Sequence, residues 1–532
     1  MKKIILSAAF ALITFCASAA FGDIFSEMYL NYLVMDDDAS TDYPKVWVIG
    51  PSSAGSTQPN LSLSIPTAVT HDGVTYRVTQ IDAKAFSGRT NIVQAFIGYG
   101  ITHIGNEAFK GCSKLVNVRI PSSIQSIGDN AFASCSALKE VNIANDDPST
   151  FTTSASAFPS NSGMTLGVAK TNDLRTVTAF NNLSQYSKFA TIELSSAAYD
   201  FTTDDSFAMC VTKAPSKNVP GEVKLVGVFG NSTGAFAPKA TYTHSVYSYK
   251  LVATGFRSCK DQTQIKSFDF SNATNLKTID CYTFSGCTNL TSVNLGSTVD
   301  QIELYAFENV PISSITIPKS VSYIGYLAFN KCPNLSAISV DSNNPFYKSS
   351  YGVLYMYLKG DKWDLVCCPA AFPYTAFYEY MFPSQVTVID CNAFAFCTNL
   401  KTIHIPYGVQ KLKDYLFNAA LQEVKIPGSV SEFDADAFGN ASGLQRIFIN
   451  ITTPPTITIF PATPANLYVP YGFVSNYKSA AFWKNCVNIQ DGSYDVPEAC
   501  TKTVSGTLLN DVRSGFTITS TAATTINGTT YD

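Results

Sequence analysis

The sequence predicts a repeat solenoid of coils about 23 residues long, with a parallel β-strand face, short helical or irregular arms and β-rich cap segments. Three observations carry this. Residues 101–143 write one pattern twice, Ile-x-x-Ile-Gly-x-x-Ala-Phe-x-x-Cys-x-x-Leu-x-x-Val-x-Ile. Phe86, Phe109 and Phe132 stand 23 residues apart, and the spacing returns between Phe284 and Phe307. Val118 and Ile120 alternate with Asn117 and Arg119, which is the period of a strand with one buried face. A fixed period in this range is the signature of stacked coils, none of which can bury its own apolar edge alone.

Each position in the coil has a physical reason. Pro121 ends the strand because it has no N–H for the ladder. Ile124 and Ile127 point inward from a second extended side, and Phe132 is the bulky plug of the arm. Cys135 is small and apolar enough to sit beneath it.

The chain opens with Lys2 and Lys3, an apolar run from Ile4 to Phe15 and small residues around Ala17-Ser18-Ala19. This reads as a cleaved signal peptide over residues 1–22. Phe15 beside Cys16 argues against a lipid anchor, and no later stretch is apolar enough to span a bilayer as a helix. Residues 23–78 form an N-terminal β cap with a hairpin at His71-Asp72-Gly73. Asp36-Asp37-Asp38 lacks the spacing of a calcium loop and reads as a solvated turn. Residues 79–165 hold the first repeat block, with Ala157-Phe158 as a worn last coil.

Residues 166–250 read as a spacer and second β preamble leading to a plug at Phe256, so that two modules follow in tandem. Leu174 and Val177 read as a continuation of the worn coil, and Ile192-Glu193-Leu194 reads as a short strand. Residues 251–450 form the second block, with plugs at Phe284, Phe307, Phe329, Phe394, Phe417 and Phe438. A β-hairpin island interrupts it at 341–385, with strands around 353–358 and 363–367. Residues 451–490 form a C-terminal cap with a short helix from Tyr477 to Trp483, and 491–532 is a Thr/Ser-rich tail.

The repeated Ala-Phe-x-x-Cys-x-x-Leu and Val-x-Ile-Pro units resemble the BspA-like leucine-rich repeat family of bacterial and protist surface proteins, over roughly residues 79–150 and 250–490. The resemblance implies the solenoid fold and a surface role. It implies no chemistry, because the shared positions are core packing. The aromatic island and the Leu467-Tyr468-Val469-Pro470 segment are also similar to features of that family.

Composition narrows the function further. Charged residues make up 14% of the chain and the net charge is −4, which excludes a basic nucleic-acid footprint. Cys112, Cys135, Cys287, Cys332 and Cys397 each follow a repeat Phe by three, and Cys281 and Cys391 precede one by three. Positions fixed by the repeat predict buried free thiols rather than disulfides; Cys367-Cys368, Cys486 and Cys500 fall outside the rule. The four histidines, His71, His103, His244 and His404, have no partners at metal-ligand spacing, and neither a nucleophile elbow nor a phosphate loop occurs.

The expectation is a secreted or cell-surface binding protein, non-enzymatic and without cofactor or metal. It would adhere to protein or glycan ligands of a host or neighbouring cell, and a monomer is favoured. A structural protein of the cell envelope is the alternative. Candidate contact residues are Tyr355, Tyr357 and Trp363 of the island and the outward strand residues Arg119, Asn142, His404 and Lys425.

Overall fold

A computed structural model describes residues 21–36, 43–170, 175–204, 206–230, 233–458, 466–492, 524–526 and 529–531. The signal peptide through residue 20, Asp37, Asp38, Leu174, Cys500 and most of the tail lie outside the described residues. The chain divides into two units, Met1–Ile312 with Ile317–Asn330, and Ser313–Thr316 with Lys331–Asp532.

In the first unit the cap is a meander of Ile24–Glu27, Leu30–Asp36 and Lys45–Pro51. Its third strand pairs in parallel with Val74–Ile81, whose hairpin partner is Ala68–His71. Asp72 and Gly73 turn that hairpin with φ of 48° and 78°, the doubly left-handed turn expected of Asp-Gly. His103–Ile104, Ser126–Ile127 and Thr152–Thr153 then add in parallel, one rung per coil. On the opposite face six parallel strands stack in chain order, from Leu61–Ile65 through Ile92–Ile97, Asn117–Ile120, Glu140–Ile143 and Thr165–Ala169 to Thr191–Ser195. The strand Thr165–Ala169 straddles the domain boundary expected at residue 165. Hydrophobic alternation faded there, while backbone pairing did not.

The third side of each coil carries the plugs. Phe86, Phe109, Phe132 and Phe158 form one column with ring centroids 5.0, 5.2 and 5.3 Å apart and planes within 14°. All four are buried. Phe86, Phe109 and Phe132 each donate a backbone N–H to the next arm, at 2.7 Å. The arms are turns rather than helices. Residues two before and two after each plug are left-handed: Lys84 and Gly88, Glu107 and Gly111, Asn130 and Ser134. The sequence left the arms helical or irregular, and this alternation of handedness makes them irregular.

The cysteines three after the plugs are free and buried. Cys112 Sγ lies 3.2 Å from the Phe86 carbonyl and Cys135 Sγ 3.1 Å from that of Phe109. Each thiol therefore donates to a carbonyl of the preceding coil that also accepts a backbone N–H within its own arm.

The second preamble repeats the first. Phe201–Thr202, Phe207–Lys213 and Gly221–Val228 form the meander, and the third strand pairs in parallel with Tyr247–Thr254, beside the hairpin strand Thr241–His244. Phe201 lies flat on His244 (4.4 Å, 7°) as Phe25 lies on His71 (4.3 Å, 3°). Phe256, however, is not the plug. Cys259 takes that slot: its N–H donates to Thr283, and Arg257 and Asp261 supply the flanking left-handed residues. Phe268 and Phe270 fill the space the small thiol leaves, 4.9 and 6.2 Å from Phe284.

In the second unit the island contains the expected hairpin, Val353–Leu358 with Lys362–Cys367, extended by one strand into a three-stranded meander. Tyr347–Ser350 adds to Val353–Leu358 and Lys362–Cys367, and the last pairs in parallel with Val386–Ile389. Lys411–Leu412 and Glu432–Phe433 continue that sheet. The plan is that of the two preambles without the extra hairpin. Here too a cysteine, Cys368, occupies the first plug slot, with its N–H on Ala393 and Cys397 Sγ 3.2 Å from its carbonyl. The other face stacks Ala376–Phe377, Thr402–His404, Glu423–Ile426, Arg446–Ile449, Asn466–Val469 and Asn488–Asp491 in parallel. A short helix, Val474–Ser479, and a turn at Trp483–Asn485 close the core. Tyr477 Oη donates to Ile451 and Trp483 Nε1 to Pro455, both at 2.7 Å, so each buried ring keeps its polar atom paired. In the tail, Thr524–Ile526 pairs antiparallel with Thr529–Tyr531.

Candidate functional site

Strand geometry decides which side chains are free to meet a ligand. On each face strand, alternate residues enter the core, and the others form columns running from rung to rung. In the first unit the central columns are covered. Asp200 accepts from Ser122 N, Ser122 Oγ and Val211 N, each at 2.7 Å, which fastens the segment around it over the strand face. Arg119 Nε donates to Ala197 at 2.9 Å, and its guanidinium lies 3.6 Å over Tyr199 and 4.8 Å from the Phe96 ring. Asn142 is buried and donates to Glu140 at 2.7 Å. Arg119 meets the chain's own Ala197 and Tyr199, and Asn142 is buried beside Glu140. Internal packing has taken them.

In the second unit the outward column becomes aromatic, and its members are half-buried. Register aligns His404 with Lys425, Lys425 with Phe448, and Phe448 with Tyr468. Tyr378 meets His404 edge-on at 4.9 Å, Lys425 Nζ lies 5.5 Å from the Phe448 ring, and Phe448 stacks on Tyr468 at 4.3 Å and 6°. The neighbouring column carries Glu423, 2.8 Å from Arg446 Nε and 3.4 Å from His404 Nε2. Burial pushes the Glu423 carboxyl up, but Arg446 and His404 outweigh it and leave its pKa below the usual value. His404 and Lys425 thus belong to one continuous outward ladder. Phe448 and Tyr468 were missed, although RIFI and NLYV place an aromatic where the repeat elsewhere has a polar residue.

The island residues separate. Tyr355 is fully buried against the core, which corrects the expectation that it is exposed: Val353 and Tyr355 share the pleat that enters the core, and Tyr357, further along the same pleat, lies past it. Tyr357 is exposed and meets Trp363 edge-on at 5.5 Å. Both line a groove of about 490 Å³ with Asp341, Asn344 and Lys348. Lys348 Nζ sits 4.6 Å over the Trp363 ring, so that face of the indole is already occupied.

A second groove of about 390 Å³ lies where the strand face begins at Ala376–Phe377, whose outer edge pairs with no strand of its sheet. Tyr351, Tyr374, Tyr378 and Tyr380 line it. Nothing in the sequence period marks these tyrosines: Tyr351 lies in the first turn of the island's meander, and the others fall between the meander and the next coil.

The remaining titratable cluster is internal. Lys413 Nζ bridges Asp390 at 2.7 Å and Asp364 at 3.5 Å. Burial, and secondarily the Asp390 charge, push the Asp364 carboxyl up to about 7 against the pull of Lys413. Among the described residues, no three His, Cys, Asp or Glu side chains group as a metal site, and no helix is long and apolar enough to cross a membrane.

A leucine rich cell surface protein from Faecalibacterium prausnitzii is 18% identical, with 89% of this chain and 95% of that one covered and a TM-score of 0.34. The pneumococcal vaccine antigen PcpA is 14% identical over 90% of this chain and 100% of that one, with a TM-score of 0.35. A leucine-rich repeat protein from Bacteroides ovatus is 19% identical over 80% and 94%, with a TM-score of 0.32. No curated protein sequence matches the chain. The family model for the BspA type leucine rich repeat region matches six copies, over residues 71–186, 255–351 and 368–461. Those segments cover more than half of the sequence and contain the plug columns described above, and the chain belongs to the BspA-type leucine-rich repeat family.

Proposed function

We propose that this chain is an exported, surface-exposed binding protein without catalytic activity, which adheres to protein or glycan ligands through the aromatic strand face of its second unit. The observation that carries the reading is the outward ladder of Tyr378, His404, Lys425, Phe448 and Tyr468. The repeat needs none of these side chains for its core, yet together they present aromatic and cationic groups suited to recognition. The basic, apolar and small-residue order of residues 1–22 supports export.

The test has two arms. Cell fractionation with protease shaving should place the mature chain outside the cell. Labelled protein should then bind matrix proteins or a glycan array, and Phe448→Ala with Lys425→Ala should weaken the binding. An internal location, or silence on both binding surfaces, would overturn the proposal. Retention of envelope proteins alone would favour a structural role.

A further inference from the structure

We infer that the tyrosine-lined groove at the start of the second unit's strand face is a binding site for a neutral oligosaccharide. The inference rests on the binding reading above and gives it a ligand class. The groove encloses about 390 Å³, within the range of small-ligand sites. Its described lining carries no charge: four tyrosines, Thr375, Ala376 and Met381.

The rings are available. Tyr380 is 71% exposed, Tyr351 50%, Tyr374 49% and Tyr378 37%. They are also held in place. Tyr374 packs edge-on against the buried Phe372 at 5.3 Å, and Tyr378 meets His404 at 4.9 Å while stacking with Tyr380 at 5.7 Å and 22°. A ligand that stacks on these rings therefore meets surfaces already oriented, which lowers the ordering cost of binding.

Chemistry selects the class. A phosphate, sulfate or carboxylate would find no cation among the described lining residues, and an ammonium no carboxylate. A purely apolar ligand would strand the phenol hydroxyls. A neutral sugar offers both a C–H face to stack on a ring and hydroxyls to pair with tyrosine and threonine oxygens. The other groove is less suited, because Lys348 already covers the Trp363 ring.

The experiment is calorimetric titration of the full mature chain with maltohexaose, cellohexaose and mannohexaose, and with a heparin hexasaccharide as the charged comparison. At least one neutral hexasaccharide should bind. The Tyr374→Ala/Tyr380→Ala double variant should weaken it about tenfold or more, while Trp363→Ala leaves it unchanged. Both tyrosines are substantially exposed, so matching circular dichroism and melting temperatures should show an intact fold. Tyr380→Phe should retain most of the stacking. Binding of heparin alone, no binding of any neutral sugar, or binding that survives the double variant would overturn the inference. A protein ligand that binds through the ladder while every sugar fails would overturn the sugar assignment and leave the binding reading standing.

Discussion

Replacing Phe109 by alanine tests whether neighbouring coils hold each other up. Phe109 is fully buried between Phe86, 5.0 Å away, and Phe132, 5.2 Å away, with both neighbours nearly parallel to it. Truncating a buried phenylalanine costs about 3–5 kcal/mol through lost transfer energy and the cavity left behind. Two ring–ring contacts, at roughly 0.5–1.5 kcal/mol each beyond burial, place this site toward the upper end. Hydrogen exchange read by mass spectrometry suits the question, because it reports opening coil by coil without assuming one global transition. Protection should fall most in the arms containing Phe86, Phe109 and Phe132 and recover with distance along the stack. Double substitution to leucine sharpens the test. Phe109 with Phe132 should show a coupling of about 1 kcal/mol, whereas Phe109 with Phe284 should be additive within roughly 0.5 kcal/mol. Equal coupling for both pairs, or a uniform loss of protection across the first unit, would refute the stacked-column account.

Three further outcomes follow from particular residues. Burial pushes the Asp200 carboxyl from 3.8 up to about 6 despite three hydrogen bonds, and Asp364 from 3.8 up to about 7. Both folded values exceed the unfolded ones, so the linked stability is complete below pH 3.8 and is lost as pH rises through 6 and 7. For Asp200 this amounts to about 3 kcal/mol. Urea midpoints of the native chain should fall between pH 5 and pH 8, Asp200→Asn should flatten the first unit's share, and a midpoint that rises over that window would contradict the assignment. A Cβ on Gly105 would stand 2.5 Å from Ala83 N and 2.7 Å from Asp82 C, so Gly105→Ala should destabilise by about 1–3 kcal/mol. Gly230, with open space around it, should accept alanine at almost no cost, and equal effects at the two sites would contradict the close packing of coils. Burial raises the Cys259 thiol to about 12 and the Cys287 thiol further. Both should resist a thiol reagent at pH 8 until urea is added; rapid labelling in the native chain would refute their interior placement.

The coil itself was legible because it repeats. The plug, the thiol three residues on and the Val-x-Ile strand recur at one spacing, and each type has one place where it packs. Phe256 misled because Gly-Phe spells the motif three residues out of register, whereas pairing with Thr283 and the left-handed Arg257 and Asp261 identify Cys259. The third island strand escaped notice because Tyr347–Ser350 is mostly polar and short. Outward residues were readable as outward but not as available. Alternation shows that Arg119 leaves its own coil; it cannot show that Ala197, 78 residues later, returns to meet it. Tyr355 failed for another reason: it shares a pleat with the exposed Tyr357, and alternation gives no sign of where along the strand the core ends.

The parallel junction between each meander and its first coil bears on how such a chain can change length over evolutionary time. Lys45–Pro51, Gly221–Val228 and Lys362–Cys367 all hand over to a following strand by side-by-side pairing in the same direction. A starter of this kind supplies the founding rung of its sheet itself. Whole modules could then be gained or lost by recombination between their starters, each newcomer bringing its own founding rung, and descendants would differ in reach while keeping the same internal grammar.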